Sequence, residues 1–280
     1  MIYLYAYTNH KKDLDSLRRM GALWKMLDAE GIEAELLVND YRAQLAGREL
    51  GLPLATTIET VRDIDAVAGY GDIVVIDSSE ELPPALMERY AEFFSCLFRI
   101  VPGGADPLAG ERVIDPFDRE SLLFDPRYVE ARDLPKEERR LLIYRDSDPQ
   151  KELLSLREYF EEEGFELYWG TYFYVKYEEA LAEIFPVIHE SEDYRELVMR
   201  SSVVVTAMPQ TALEAWAAGA RVLLLTPESR EPVGRLAEAF GIPTLEMQKQ
   251  ECSRGWSDRA ARSPEPLAPA ENFYHQLFRE

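Results

Sequence analysis

The sequence contains little of what several classes of protein require. Only two of its 280 residues are cysteines, Cys96 in an apolar stretch and Cys252 in a polar one, so we expect neither a disulfide framework nor a cysteine metal site. The three histidines, His10, His189 and His275, lie far apart along the chain, which gives a zinc site little support. We therefore expect no metal and no cofactor.

Positive charge and long apolar runs are also scarce. Lys and Arg number 31 against 52 Asp and Glu, and the net charge of −21 argues against binding along a nucleic-acid backbone. No apolar run approaches the span of a bilayer, and residues 1–30 lack the layout of a signal peptide, so we expect a cytoplasmic protein. A hydrophobic content of 46% over 280 residues is typical of a globular protein with two sizeable cores.

Short apolar segments alternate with helical patterns along the whole chain, which predicts an α/β fold with doubly wound parallel sheets. The predicted strands are 2–7, 34–38, 72–77, 96–101, 141–144, 166–169, 203–205 and 222–225. The predicted helices are 14–30, 42–49, 58–68, 83–94, 150–163, 193–200, 210–218 and 232–240. A charged stretch, 130–140, predicts a boundary between two Rossmann-like domains, 1–135 and 136–268. The last residues, 269–280, contain an apolar stripe at helical spacing.

The clearest single unit is residues 201–225, which reads strand, loop, helix and strand. Pro209 suits the first turn of a helix because its missing N–H would be unpaired there, and Gly219 closes that helix. Ligands of parallel sheets bind beyond the carboxyl ends of the strands, which here means the loop 206–210. A helix that starts in this loop would offer an anion its N-terminal N–H groups.

Several stretches resemble the nucleotide-sugar hydrolase family of pseudaminic acid biosynthesis and, more broadly, two-domain GT-B glycosyltransferases of the MurG type. TAMPQTALEAWAAG (206–219) is similar to the family's GAGGSTSWERCALG, with Thr211, Glu214 and Gly219 on matching positions. RDSDP (145–149) resembles the end of its FGGSDP loop, where Ser147 matches. LLFDPRYVEAR (122–132) and DIVVIDS (72–78) resemble two further family segments in the same order.

The resemblance implies a GT-B-like fold of two Rossmann-like domains with a cleft between them, and a UDP-sugar as ligand. It also implies that Glu214 holds the ribose hydroxyls, and that residues 269–280 form a helix that packs back on the first domain. Gln210, Thr211 and Ser147 would contact the diphosphate, with Arg18 and Arg19 as further phosphate ligands. No metal is needed, because helix N-termini and arginines can stabilise a diphosphate.

The chain departs from the family at the loops that carry the chemistry. Counting back from Gly31 puts Arg19 on the family's arginine and Ser16 on its catalytic histidine. Residues 13–15 replace a Gly-Thr-Gly sequence, and Met208 and Pro209 replace two glycines that face the phosphates. Side chains therefore stand where bare backbone would approach a pyrophosphate.

Two residues of the first loop are candidate bases for attack on the anomeric carbon of the sugar. His10 has the ordinary pKa for this task, and the alternative is an exposed loop histidine beside Lys11 and Lys12. Asp15 could act as a carboxylate base, and its alternative is to cap the first helix. Glu214 could instead be a solvent-exposed helix residue, and Ser147 a helix N-cap.

Two functional hypotheses follow. The first is a UDP-sugar-binding protein that acts as a metal-independent hydrolase or glycosyltransferase. The alternative is a non-catalytic binding or assembly partner that has lost the histidine and the phosphate-loop glycines. Clustered aromatic residues at 168–177 could stack on a base or a sugar ring, although core packing is the commoner use of such residues.

Overall fold

The structure is a computed structural model that describes residues 1–9, 11, 13–160, 163–173, 175–226, 233–247 and 255–267. Its contacts divide these residues into two compact units. Unit 1 contains Met1–Thr8 and Ser16–Asp125, and unit 2 contains Asn9–Asp15 and Pro126–Ala268. The units therefore change at Asp125 and Pro126, while the predicted domain boundary at 135/136 stays a prediction. The predicted C-terminal helix at 269–280 lies outside the described residues.

Unit 1 is built on a six-stranded parallel sheet with the strand order β3-β2-β1-β4-β5-β6. Its strands are β1 (Ile2–Ala6), β2 (Ala34–Val38), β3 (Thr56–Thr57), β4 (Ile73–Asp77), β5 (Cys96–Ile100) and β6 (Arg112–Ile114). Its helices are α1 (Asp15–Ala29, whose first residue groups with unit 2), α2 (Tyr41–Glu49), α3 (Pro84–Phe93) and a 3-10 helix, Val61–Ala66.

The central strands of unit 1, β1, β2, β4 and β5, form where the apolar patterns predict them. All five residues of β1 are buried, as expected of a central strand covered by helices on both faces. Asp40 starts α2 by accepting a hydrogen bond from the Ala43 N–H at 2.8 Å. The helix predicted at 58–68 is shorter, because a capping box of Thr60 and Asp63 starts a 3-10 helix instead.

Unit 2 repeats the same design with the strand order β12-β11-β10-β7-β8-β9 and one antiparallel strand, β13, beside β11. Its strands are β7 (Glu137–Ile143), β8 (Glu166–Tyr168), β9 (Ile188–His189), β10 (Ser201–Thr206), β11 (Arg221–Thr226), β12 (Thr244–Glu246) and β13 (Ala261–Arg262). Its helices are α4 (Arg127–Glu130), α5 (Glu152–Ser155), α6 (Arg157–Phe160), α7 (Val175–Ala182), α8 (Tyr194–Arg200), α9 (Pro209–Ala217), α10 (Val233–Phe240) and α11 (Trp256–Arg259).

The two sheets have equivalent connectivity. In each, the first strand lies at the centre, the second and third extend to one side, and the fourth to sixth extend to the other side. This order creates a switch point between the first and fourth strands, where the loops that follow them diverge. In unit 2 the switch point lies between β7 and β10. The loops that follow these two strands are the ones that the sequence predicts as the ligand site.

Two sequence predictions need correction in unit 2. The strand predicted at 141–144 begins earlier, because β7 starts at Glu137, inside the polar stretch 130–140. Arg139 balances the charge there by pairing with Glu137 and Glu166. The helix predicted at 150–163 is two short helices, α5 and α6.

Candidate functional site

The candidate site of unit 2 lies at the carboxyl ends of β7 and β10. Val203, Val204 and Val205 form the buried middle of β10, and α9 begins three residues after the strand ends. Met208 occupies the N-cap position in extended conformation, and Pro209 is the first helical residue. Since proline has no N–H, the first N–H that α9 can offer to an anion belongs to Gln210.

A carboxylate of this chain occupies the N-terminus of α9. The Gln210 N–H donates to Asp15 Oδ2 at 3.1 Å, across 195 residues of sequence. Next to it, the Leu14 N–H donates to Asp146 Oδ2 at 2.8 Å, in the loop that follows β7. Asp15 is only 6% exposed, and Asp146 is fully buried. The segment Asn9–Asp15 thereby brings a negative charge to the helix end predicted to bind an anion.

The three candidate residues of α9 form a buried network with a tyrosine. The Tyr194 hydroxyl lies 2.6 Å from Glu214 Oε2 and 2.8 Å from Thr211 Oγ1, and Gln210 Nε2 donates to Glu214 Oε1 at 3.2 Å. Glu214 is 2% exposed, so it is not a solvent-exposed helix residue. Tyr194 is not among the residues predicted from the sequence, although it starts α8, the helix that leads into β10.

The loop after β7 is held by Asp148 and Tyr177. The Asp148 carboxylate accepts hydrogen bonds from the N–H groups of Glu152 and Leu153, at 2.8 and 3.0 Å, and so caps α5. The Tyr177 hydroxyl donates to Asp148 at 2.6 Å, and burial, followed by this bond, raises the pKa of Tyr177. The carboxylate that caps this helix thus comes from Asp148, and Ser147 beside it is buried.

Gly170 lets a second loop reach the loop after β7. A Cβ at this position would lie 2.6 Å from the Asp146 carbonyl oxygen and 2.7 Å from that of Arg145. These are backbone atoms, which cannot rotate away as a side chain can. The Tyr172 N–H completes the contact by donating to the Asp146 carbonyl at 2.8 Å. The conformation of the candidate phosphate loop therefore depends on a glycine.

Gly170→Ala should lower the free energy of unfolding by about 2 kcal/mol, because the added methyl group must push two backbone segments apart. Urea unfolding followed by circular dichroism measures the change. Gly234→Ala in α10 is the matched control, since a Cβ there meets no atom within 4 Å, and we expect it to be neutral or slightly stabilising. Equal losses in both variants would contradict a steric requirement at Gly170.

The aromatic residues at 168–177 serve the core of unit 2. Tyr168 and Tyr177 are buried, while Trp169 and Phe173 are partly buried and pack against the same core cluster. Trp169 and Phe173 also meet edge to face, with ring centroids 5.0 Å apart. The described aromatic residues of this stretch therefore pack in the core of unit 2 and do not form a free surface for stacking on a base or a sugar ring.

The candidate residues of unit 1 surround the start of α1. Arg19 forms a two-point ion pair with Asp77 at the end of β4, with distances of 2.7 and 3.1 Å. Arg18 is also buried. Ser16, at the position of the family histidine, donates its hydroxyl hydrogen to the Tyr7 carbonyl oxygen. His10 lies outside the described residues.

Two features typical of other protein classes are absent from the part of the chain that the structure describes. Among the described residues, no group of three or more His, Cys, Asp or Glu side chains is arranged to hold a metal ion. In the same part of the chain, no helix has the length and apolar character needed to cross a membrane.

Sequence comparison and structure comparison give different results for this chain. No known family model matches the sequence, and no curated protein is similar to it. Solved structures do match. A Listeria monocytogenes protein assigned as a UDP-N-acetylglucosamine 2-epimerase superposes with a TM-score of 0.58 at 12% identity, covering 99% of this chain and 94% of that one.

Two glycosyltransferases superpose with slightly lower TM-scores. The spinosyn rhamnosyltransferase SpnG, complexed with thymidine diphosphate, gives a TM-score of 0.54 at 14% identity over 92% of this chain and 90% of that chain. SnogD from Streptomyces nogalater gives 0.53 at 15% identity over 99% of both chains. At these identities the likeness establishes the fold alone. Together with the two doubly wound sheets, it confirms the predicted fold class: the chain has a GT-B-like fold.

Proposed function

We propose that this chain is a nucleotide-sugar-binding protein whose ligand is a UDP-sugar. The observation that supports the proposal is the N-terminus of α9, which already holds a carboxylate at the Gln210 N–H. A diphosphate is a larger anion of the same sign, and helix N-termini of Rossmann-like sheets commonly bind such groups.

The remaining candidate residues fit the other parts of the ligand. Glu214 lies one turn into α9 and is ionisable, so its carboxylate could accept the two ribose hydroxyl hydrogens after exchanging its present donors, Tyr194 and Gln210. Thr211 and Ser147 would donate hydroxyl hydrogens to phosphate oxygens.

The finer proposal concerns chemistry at the anomeric carbon. A base from the first loop, His10 or Asp15, would remove a proton from water in a hydrolase or from an acceptor hydroxyl in a glycosyltransferase. The leaving group would be UDP, stabilised by the α9 N-terminus without a metal. The two named functions of the structural neighbours, epimerisation and glycosyl transfer, both belong to proteins that share this fold.

A second candidate function rests on a different observation. Gln210, Thr211 and Glu214 are buried and bonded to one another or to Tyr194, and a serine stands where the hydrolase family has its histidine. A protein with this interior could keep the fold as a non-catalytic binding or assembly partner. The two candidates differ in whether a nucleotide binds.

Isothermal titration calorimetry with UDP, UDP-N-acetylglucosamine and uridine separates the two functions. The proposed function predicts a dissociation constant of about 0.5 mM or tighter for both diphosphates, equivalent to about −4.5 kcal/mol. It predicts much weaker binding of uridine, which lacks the group that α9 would hold. If neither UDP nor UDP-N-acetylglucosamine binds, the nucleotide-sugar function is contradicted and the non-catalytic partner function is favoured. For a ligand that does bind, release of UDP over time would separate a hydrolase from a binding protein.

A further inference from the structure

The contact between Asp15 and α9 has a consequence for any anion that binds there. Asp15 Oδ2 lies 3.1 Å from the Gln210 nitrogen, and Pro209 removes the N–H group that would otherwise stand beside it. Because Pro209 cannot donate, the Gln210 N–H is the first donor of α9, and the Asp15 carboxylate accepts from it. A phosphate group cannot use this N–H while Asp15 does.

Neighbouring hydrogen bonds and the burial of Leu14 fix the position of Asp15. The Asp15 N–H donates to Asp13 Oδ1 at 3.2 Å, and the preceding Leu14 N–H is bound by the buried Asp146 carboxylate. Leu14 itself is 1% exposed. The segment is thus anchored by its backbone at Leu14 and Asp15 and by the buried Leu14 side chain, rather than by one flexible side chain.

We propose that Asp15 is an intramolecular competitor for the anion position of unit 2, so that a diphosphate binds only by displacing its carboxylate. This inference rests on the proposed function, because it names how the same site is regulated. Binding then carries the cost of breaking the contact, and the apparent dissociation constant equals the intrinsic one divided by the fraction of molecules in which Asp15 is displaced. Two anions of like charge cannot share one helix end.

The competitor also gives the site a preference among ligands. A ligand without a diphosphate leaves Asp15 in place and gains nothing from its removal. A diphosphate carries more than one negative charge, so it replaces the Asp15 carboxylate at the Gln210 N–H with a stronger acceptor. The strength of the competition therefore depends on the diphosphate group, whether it belongs to a nucleotide or is free pyrophosphate.

Calorimetry of the full chain with UDP, inorganic pyrophosphate and uridine tests the proposal. Asp15→Ala should bind UDP about tenfold more tightly than the unaltered protein, a gain of about 1.4 kcal/mol, with no change for uridine. Asp15→Asn, which keeps the shape and an acceptor oxygen but loses the charge, should shift in the same direction and protects the test if the alanine variant fails to fold. If the Asp15 variants also bind pyrophosphate more tightly than the unaltered protein does, Asp15 competes with the diphosphate group rather than with the nucleoside.

Glu163→Gln is the matched control. Glu163 is also a carboxylate at a helix N-terminus of unit 2, where it accepts hydrogen bonds from the Gly255, Trp256 and Ser257 N–H groups at 2.7–3.0 Å. It precedes β8 and so lies at the amino edge of the sheet, away from α9. This variant should lose thermal stability and keep the UDP affinity of the unaltered protein.

The outcomes distinguish this proposal from the proposed function. If the unaltered protein and Asp15→Ala bind UDP equally, Asp15 is a structural cap, the competition is overturned and the proposed function stands. If Asp15→Ala melts at a lower temperature and binds UDP more weakly, the competition is also overturned. If no variant binds UDP or pyrophosphate, the proposed function fails and the competition fails with it.

Discussion

Asp77→Ala should lower the free energy of unfolding by about 3–5 kcal/mol, as is typical when one partner of a buried ion pair is removed. The Arg19 guanidinium would stay buried without the carboxylate that now accepts from two of its nitrogens. Both side chains are at most 6% exposed, so water cannot replace the lost partner. Urea unfolding monitored by circular dichroism measures the loss.

Asp65→Ala provides the control for this experiment. Asp65 pairs with Arg89 at 2.9 Å, but the Arg89 side chain is 57% exposed. Exposed pairs contribute about 0–1 kcal/mol, so this variant should change stability little. A double replacement, Asp77→Leu with Arg19→Met, should recover much of the first loss because no charge stays buried. Similar losses for Asp77→Ala and Asp65→Ala would show that burial of the pair is not what matters.

Glu214→Ala should lower the free energy of unfolding by about 3 kcal/mol. It removes an acceptor from the buried Tyr194 hydroxyl and from the Gln210 amide, and a hydrogen bond to a charged group is worth about 1.5–3 kcal/mol. Tyr194→Phe removes the same bond from the other side. In a double-mutant cycle the two variants should therefore be non-additive by about 1.5 kcal/mol or more.

Glu196→Ala on α8 is the comparison for Glu214. Glu196 pairs with Arg200 one turn away on the surface of the helix, with side chains about half exposed. We expect a loss of about 0.5 kcal/mol or less, because such pairs stabilise helices weakly. Additive losses for Glu214→Ala and Tyr194→Phe would contradict a direct coupling between the two side chains.

The fold could be predicted from the sequence because the central strands are uninterrupted apolar runs. Val203–Val205 and the DIVVID segment are too short for helices and too apolar for loops, and they lie where predicted, in β10 and β4. The edge strands β3, β6, β9 and β12 were not predicted, since two or three residues contain too little periodicity. The order of strands follows from pairing across the sheet, which no local pattern encodes.

The candidate site could be predicted only where it is local. Gln210, Thr211 and Glu214 belong to one helix, and helical spacing places them together. Their most important contacts come from elsewhere: Tyr194 from another helix, and Asp15 from 195 residues away. The apolar and glycine patterns that reveal elements say nothing about which distant carboxylate reaches a helix end.

The discontinuity of unit 2 affects how the chain can be made. Gln210 is translated 195 residues after Asp15, which at 5–20 residues per second is a delay on the order of 10–40 seconds. During synthesis residues 9–15 are therefore translated well before α9, the helix whose N-terminus Asp15 contacts. A gene fragment that begins at Pro126 would encode every strand of the second sheet and still lack the Asp15 and Leu14 contacts. Dissection of this protein into two halves therefore requires a circular permutation or a fusion that carries residues 9–15 along with the second half.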